Sequence, residues 1–242
     1  MCGRGYKKLY RLNPGRTSYK STWDIQKKLV EKRRTGSIPD CLILTEHDPV
    51  ITMGRGTSRR NLLADLATLE ARGVELYEIE RGGDITFHGP GQLVAYPIID
   101  LTVRGRDVHK YLRDLEHLMI ATLMDLGLKA GIKQGLTGVW VDNHKVGAIG
   151  VAVSKWVTYH GLALNVNTDL DYFKMINPCG ITRYPVGSAS QLLGQQLSLD
   201  HVAEMLAVNF ADLFGYEMDS ISDINELIEP APLSDPQSPT GK

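Results

Sequence analysis

The clearest alternation of apolar and polar positions runs through RDVHKYLRDLEHLMIATLMDLG, residues 106–127. Val108, Tyr111, Leu112, Leu115, Leu118, Met119, Leu123 and Leu126 recur at i, i+3 and i+4, which predicts a helix burying one face. Gly127 is placed to stop it. The same period predicts a first helix over 17–35, with Tyr19, Trp23, Leu29 and Val30 as its apolar positions, and a last one over 199–215. ADLATLEARG reads as a short helix ending at Gly73. CLILTE and VITMG, separated by His47-Asp48-Pro49, read as two short strands. VELYEIER and DITFHGPGQLVAYPIIDL read as strands flanking Gly82-Gly83. TGVWVDNHKVGAIGVAVSK predicts a hairpin turning at Asp142-Asn143, and VTYHGLALNVN a further strand. INPCG, Ile176–Gly180, closes another strand-like run.

Strands and helices are mixed without a regular βαβ alternation, which predicts a single α/β (α+β) domain with a mixed sheet flanked by helices. No internal repeat breaks the chain. The expected catalytic domain spans 1–220, followed by a C-terminal extension, 221–242, whose end PAPLSDPQSPTGK has a disordered composition. The balance of 43% hydrophobic and 23% charged residues fits a globular core. A formal net charge of −1 supplies no global basic field, so no nucleic-acid partner is expected. No apolar run approaches the roughly 18 residues of a membrane span, and the first residues lack the apolar core of a secretory signal. The expectation is a cytoplasmic protein with no membrane partner, and, without heptads, a monomer.

Cys2, Cys41 and Cys179 lie far apart with no C-x-x-C pair, which argues against a disulfide framework and a zinc site. Cys41 opens an apolar strand and reads as core. Cys179, between Pro178 and Gly180, either presents a thiol or sits in an ordinary turn. RGGDITFHGPGQ, residues 81–92, is neither a dinucleotide fingerprint nor a Walker A loop. Its glycines allow close backbone approach to a ligand, and two plain turns around a strand would look similar. Lys145 follows the hairpin tip, where a lysine is ordinarily solvated. Adjacent strands would bring it to Cys179, and the pairing has a coherent chemistry. A free thiol is only a few per cent thiolate at neutral pH, and lowering its pKa to about 7 takes roughly 2 kcal/mol, which one ammonium nearby supplies.

Taken in order, RGGDITFHGPGQ (81–92), GVWV (138–141), KVGAIGV (145–151), HGLALNV (160–166) and NPCG (177–180) resemble the lipoyl(octanoyl) transferase family, the lipoate-protein ligase B type. The resemblance covers roughly residues 40–195. It implies the fold of the biotin protein ligase and lipoate ligase catalytic domains. The implied activity moves an octanoyl group from octanoyl-acyl carrier protein to a lysine of a lipoyl domain, through a cysteine thioester. Recipients would be the E2 subunits of 2-oxoacid dehydrogenases and the glycine cleavage H protein. The family's nucleophile falls on Cys179 and its partner lysine on Lys145. Its acyl-binding segments fall on Arg81, Gly82, Gly83, Asp84, Ile85, Thr86, Phe87 and His88, on Ala148, Ile149 and Gly150, and on Gly161, Leu162 and Ala163. His88 and His160 become wall candidates. No cofactor, nucleotide or metal is implied.

An acidic carrier protein calls for a local basic patch, either Lys27, Lys28, Lys32, Arg33 and Arg34 on the first helix or Arg55, Arg59 and Arg60 beyond the second strand. Thr137, Ala152 and the polar stretch GITRYPVGSASQLLG depart from the family pattern, which bears on docking or pocket shape. Two rival readings remain: an ATP-dependent lipoate or biotin ligase, which would need no nucleophilic cysteine, and a non-catalytic module binding acyl carriers or lipoyl domains.

Overall fold

The computed structural model describes residues 7–178 and 184–228. The chain opens with β1 (Lys7–Thr17), α1 (Tyr19–Arg34), β2 (Asp40–His47), β3 (Val50–Met53), α2 (Leu66–Ala71), β4 (Glu75–Glu78), β5 (Ile85–His88) and β6 (Gln92–Ile98). It continues with α3 (Val108–Asp125), β7 (Ala130–Lys133), β8 (Leu136–Val141), β9 (His144–Ser154) and β10 (Val157–Asn165). After a 3₁₀ helix over Leu170–Met175 come α4 (Ala189–Leu193), α5 (Leu199–Phe214), β11 (Tyr216–Ile221) and α6 (Asn225–Ile228). Side chains punctuate the long helices. Ser18, Asp107 and Ser198 cap the N-termini of α1, α3 and α5, and Gly215, at φ +70°, ends α5.

Eight strands form one mixed sheet in the order β11-β1-β2-β6-β10-β9-β8-β7, and β4-β3-β5 form a second, smaller sheet. Alternation along the strands divides the core in two. Leu42 and Leu44 of β2 face one side with Leu115, Leu118 and Met119 of α3 and Leu206 and Phe210 of α5. Cys41 and Ile43 face the other side with Leu29 and Val30 of α1. The small sheet lies on the α1 side, where Val50 packs against Tyr19. Its outer face carries a separate core of Ile51, Met53, Ile85 and Phe87 closed by Phe173 and Met175. The chain is thus a mixed α/β domain, as expected, with a cleft between the two sheets.

Three strands escaped the sequence pattern: β1, β7 and β11. β1 is parallel to both β2 and β11, and its register shifts between Leu12 and Gly15, where Asn13-Pro14 interrupts the ladder. The strand-like run before Asn177 is corrected: the structure has the 3₁₀ helix there, and Ile176 makes only an isolated bridge to Leu62. The 221–228 stretch includes α6, whose Leu227 is buried with the α1 core. Cys2, Cys179 and the 230–242 tail lie outside the described residues.

Candidate active site

Small residues on neighbouring strands open the cleft. Ala148 of β9 pairs with Ala163 of β10, and Gly150 with Gly161, which leaves a shallow trough on the face of the main sheet. β5 lies across it and contributes Thr86 and His88, while Tyr19 of α1 and Val94 and Tyr96 of β6 close one end. The resulting cleft has about 460 Å³ of empty space, counting its solvent-open mouth. Of the expected acyl-binding residues, Arg81, Gly83, Asp84, Thr86, His88, Ala148, Ile149, Gly150, Gly161, Leu162 and Ala163 line it, together with His160. Gly82 lines a wider opening beside it, with Gly83, Asp84 and Lys145. Ile85 and Phe87 alternate to the opposite face of β5 and pack in the outer core.

Two glycines are steric requirements. A Cβ on Gly150 would stand 2.8 Å from Arg81 Cδ and 3.0 Å from the Gly82 carbonyl, so only glycine lets the Arg81–Gly83 turn lie on the sheet. A Cβ on Gly161 would overlap the carbonyl oxygen of Ala95. Arg81 is buried, and its guanidinium donates to the Thr52 carbonyl at 2.7 Å, to Thr52 Oγ1 and to the Gly82 carbonyl.

Lys145 is buried as well, 8% exposed, against its expectation as a solvated turn residue. The cause lies far along the chain. Lys145 N donates to the Pro185 carbonyl at 2.8 Å, Gly187 N donates to the Lys145 carbonyl at 3.0 Å, and Val186 forms an isolated parallel bridge with Lys145. Nζ lies 5.4 Å from the Trp140 ring centroid. Gly138, at φ +127°, gives the side chain room, since a Cβ there would come within 2.8 Å of Lys145 Cε. Gly138 N donates to the buried Glu116 carboxylate at 3.0 Å, which fixes that turn of backbone from α3. Lys145 lines a second cavity with Pro178, the residue before Cys179, and with Thr86, Ala148 and Ala163, which also line the first. The two cavities therefore share a wall. Cys179 itself lies outside the described residues.

A polar and aromatic cluster lies along the cleft and reaches the second cavity, which Gln92 and Asn165 line. His88 Nδ1 meets Gln92 Oε1 at 2.7 Å, Gln92 Nε2 donates to Asn165 Oδ1 at 2.8 Å, and Asn165 Nδ2 donates to the Gly187 carbonyl at 3.0 Å. This chain ties the His88 ring to the segment that covers Lys145. His47 Nδ1 faces the Thr17 carbonyl at 3.2 Å, so it carries the proton, and Nε2 accepts from Tyr96 Oη at 2.7 Å. Burial pushes His88 down to about 3, with His47 and Arg81 adding to the effect, and pushes His47 and His160 down to about 4. All three rings are therefore neutral at pH 7. Burial also pushes the Cys41 thiol up to about 12, which matches its reading as core.

Sequence reasoning missed Tyr19, Val94 and Tyr96 as cavity walls, because each also reads as an ordinary core position. Among the described residues no three His, Cys, Asp or Glu side chains are gathered to hold a metal ion, and no helix is long and apolar enough to cross a membrane.

Comparison with known proteins follows the same lines. The lipoyl protein ligase A/B catalytic domain family model matches residues 18–211. An octanoyltransferase of Koribacter versatilis (strain Ellin345) is 46% identical over 222 residues, 90% of this chain and 88% of its own. One of Solibacter usitatus (strain Ellin6076) is 50% identical over 204 residues, 84% of this chain and 92% of its own. Among solved structures, a lipoate-protein ligase A bound with ATP superposes with a TM-score of 0.69 at 18% identity, covering 92% of each chain. A putative lipoate protein ligase from T. acidophilum with bound lipoic acid gives 0.68 at 19% identity, over 91% of this chain and 92% of its own. These structural likenesses carry the fold.

Proposed function

The chain belongs to the lipoyl protein ligase A/B catalytic domain family, and from that premise we propose that it transfers an octanoyl group from octanoyl-acyl carrier protein to the lysine of a lipoyl domain, with Cys179 as nucleophile and Lys145 as its proton partner. Octanoyl transfer is the activity its curated relatives are named for. The observation that carries the assignment of Lys145 is its burial in the second cavity, which Pro178 also lines and which shares Thr86, Ala148 and Ala163 with the first. A buried amine next to a small-residue trough is poised to exchange a proton with a thiol and is shielded from bulk water.

The steps balance without any outside reagent. Lys145 accepts the Cys179 proton, the thiolate attacks the carrier thioester carbonyl, and the carrier thiolate leaves and takes a proton from the Lys145 ammonium. The acyl–enzyme is a thioester of similar energy to the donor. A lipoyl-domain lysine amine then attacks it. The C–S bond breaks, an amide forms, and the amine's surplus proton returns to Cys179 by way of Lys145. The energy of the thioester drives the sequence, so neither nucleotide nor metal has a step to perform. The octanoyl tail lies in the first cavity between Ala148, Ile149, Leu162, Ala163 and Val94, where each buried methylene contributes about 0.8 kcal/mol. E2 lipoyl domains and the glycine cleavage H protein are the recipients of that lysine chemistry.

The deciding experiment is intact-protein mass spectrometry after mixing with octanoyl-acyl carrier protein, without acceptor or ATP. A hydroxylamine-labile adduct of one octanoyl group on Cys179, discharged by a lipoyl domain, is the expected result. No adduct on folded protein, with modification appearing only when ATP and free octanoate are supplied, would turn the assignment into a ligase.

A further inference from the structure

The first cavity is lined by polar as well as apolar groups, and one of the polar groups is unmatched. His160 is 1% exposed and lines the cavity. Its Nδ1 lies 3.4 Å from Tyr19 Oη, while its Nε2 is buried with no hydrogen-bond partner among the described residues. A neutral imidazole carries one N–H, so either tautomer leaves Nε2 an unmet donor or an unmet acceptor. Gln26, whose Oε1 accepts the backbone N–H of His160 at 2.7 Å, has a buried Nε2 without a partner too. Buried polar groups are nearly always satisfied, and an exception in a native fold marks a place where something polar binds or strain is used.

The backbone holds His160 in this position by force. Its φ of +55° is in the left-handed region, sparsely used outside glycine, and the next residue, Gly161, has no space for a Cβ. The depth is also suggestive. Ala148 and Ala163, on the wall shared with the Lys145 cavity, lie three residues from Val151 and His160, which are register partners in β9 and β10. Three residues of strand rise about 10 Å, comparable with an extended octanoyl chain.

We infer that His160, backed by Tyr19, is a specificity-determining residue that closes the acyl cavity with a polar terminus. A chain whose end stops short of Nε2, or carries a hydrogen-bonding group to it, is accepted. A longer saturated chain runs against the His160–Tyr19 pair without offering Nε2 a partner, and is rejected. The inference rests on the octanoyl-transfer reading above.

The test compares nonanoyl and ω-hydroxyoctanoyl groups on the same acyl carrier protein. The two chains have equal heavy-atom length and differ by a terminal methyl against a hydroxyl. The unaltered chain is expected to use ω-hydroxyoctanoyl at least as well as nonanoyl, judged by kcat/KM. In His160→Phe that ratio falls about tenfold, and decanoyl turnover gains on octanoyl. An unchanged ratio in a variant that melts cooperatively overturns the inference. If His160→Phe does not fold, the unaltered chain decides: a preference for nonanoyl overturns the inference, and parity or better upholds it. Failure of the unaltered chain to turn over octanoyl itself would instead refute the transfer reading beneath it.

Discussion

At the scale of single residues, the site depends on atoms that are absent as much as on those present. Gly150 leaves the space that Arg81 and the Gly82 carbonyl occupy. Gly150→Ala therefore forces a methyl against the Arg81 side chain and the Gly82 carbonyl, and we expect it to cost about 1–3 kcal/mol in urea unfolding and to lower octanoyl transfer together with stability. A wild-type unfolding midpoint would contradict the steric account. Lys145→Met keeps the side chain's bulk and removes its amine. Octanoyl loading should fall by at least about a hundredfold, the lower range for a lost general base, while the thermal transition is kept. Loading at the wild-type rate would remove Lys145 from the chemistry. The lysine's identity was legible in KVGAIGV, but its burial was not. Local pattern reads a lysine after a hairpin tip as solvated, and the cover comes from Pro185–Gly187, which no periodicity connects to it.

At the scale of elements, the segment after β3 joins the outer surface to the site. Leu63 N and Ala64 N donate to the Met175 carbonyl, and Asn177 N donates to the Asn61 carbonyl at 2.7 Å, two residues before Cys179. Asn61 Nδ2 reaches Asp84 of the cavity rim at 2.5 Å. The same segment presents exposed Arg55, Arg59 and Arg60. The Arg59–Glu78 pair, 87% and 66% exposed, contributes little to stability, so charge reversal of Arg59 and Arg60 should leave the fold intact. It should raise KM for octanoyl-acyl carrier protein and leave turnover of a small octanoyl thioester unchanged. An unaltered KM for the carrier would place docking elsewhere. Arg33, by contrast, is committed to Asp40 at 2.5 Å and Asp100 at 3.5 Å, which weakens the first-helix cluster as a docking surface. The long helices and the β8–β9 hairpin were readable because period and turn residues agree. β1 and β11 were not, because KKLYRLNPGRT and YEMDSI mix charge with too few apolar positions to alternate. Their pairing is a tertiary fact.

At the scale of the whole molecule, three neutral histidines packed between the sheets tie stability to pH. Unfolded histidines take up protons near pH 6.5, whereas His47 and His160 do so at about 4 and His88 at about 3 in the fold. Between those values the unfolded state binds more protons, so stability is complete above pH 6.5 and is lost as pH falls toward 4. Each such histidine contributes a slope of about 1.4 kcal/mol per pH unit at most. Urea midpoints should decline steeply from pH 7 to pH 5, and a flat profile would mean that the cluster protonates within the fold. The sheet itself has a further consequence. β1, at the start of the described chain, lies between β2 and β11, with Lys7 in register with Tyr216. On a ribosome, β1 and β2 emerge long before β11, and one edge of the sheet waits unpaired while the whole site is still being synthesised. The last strand to arrive therefore covers β1 and becomes the outer strand in its place, and a chain interrupted before Tyr216 would leave the ribosome with the β1 ladder bare, a border that invites aggregation.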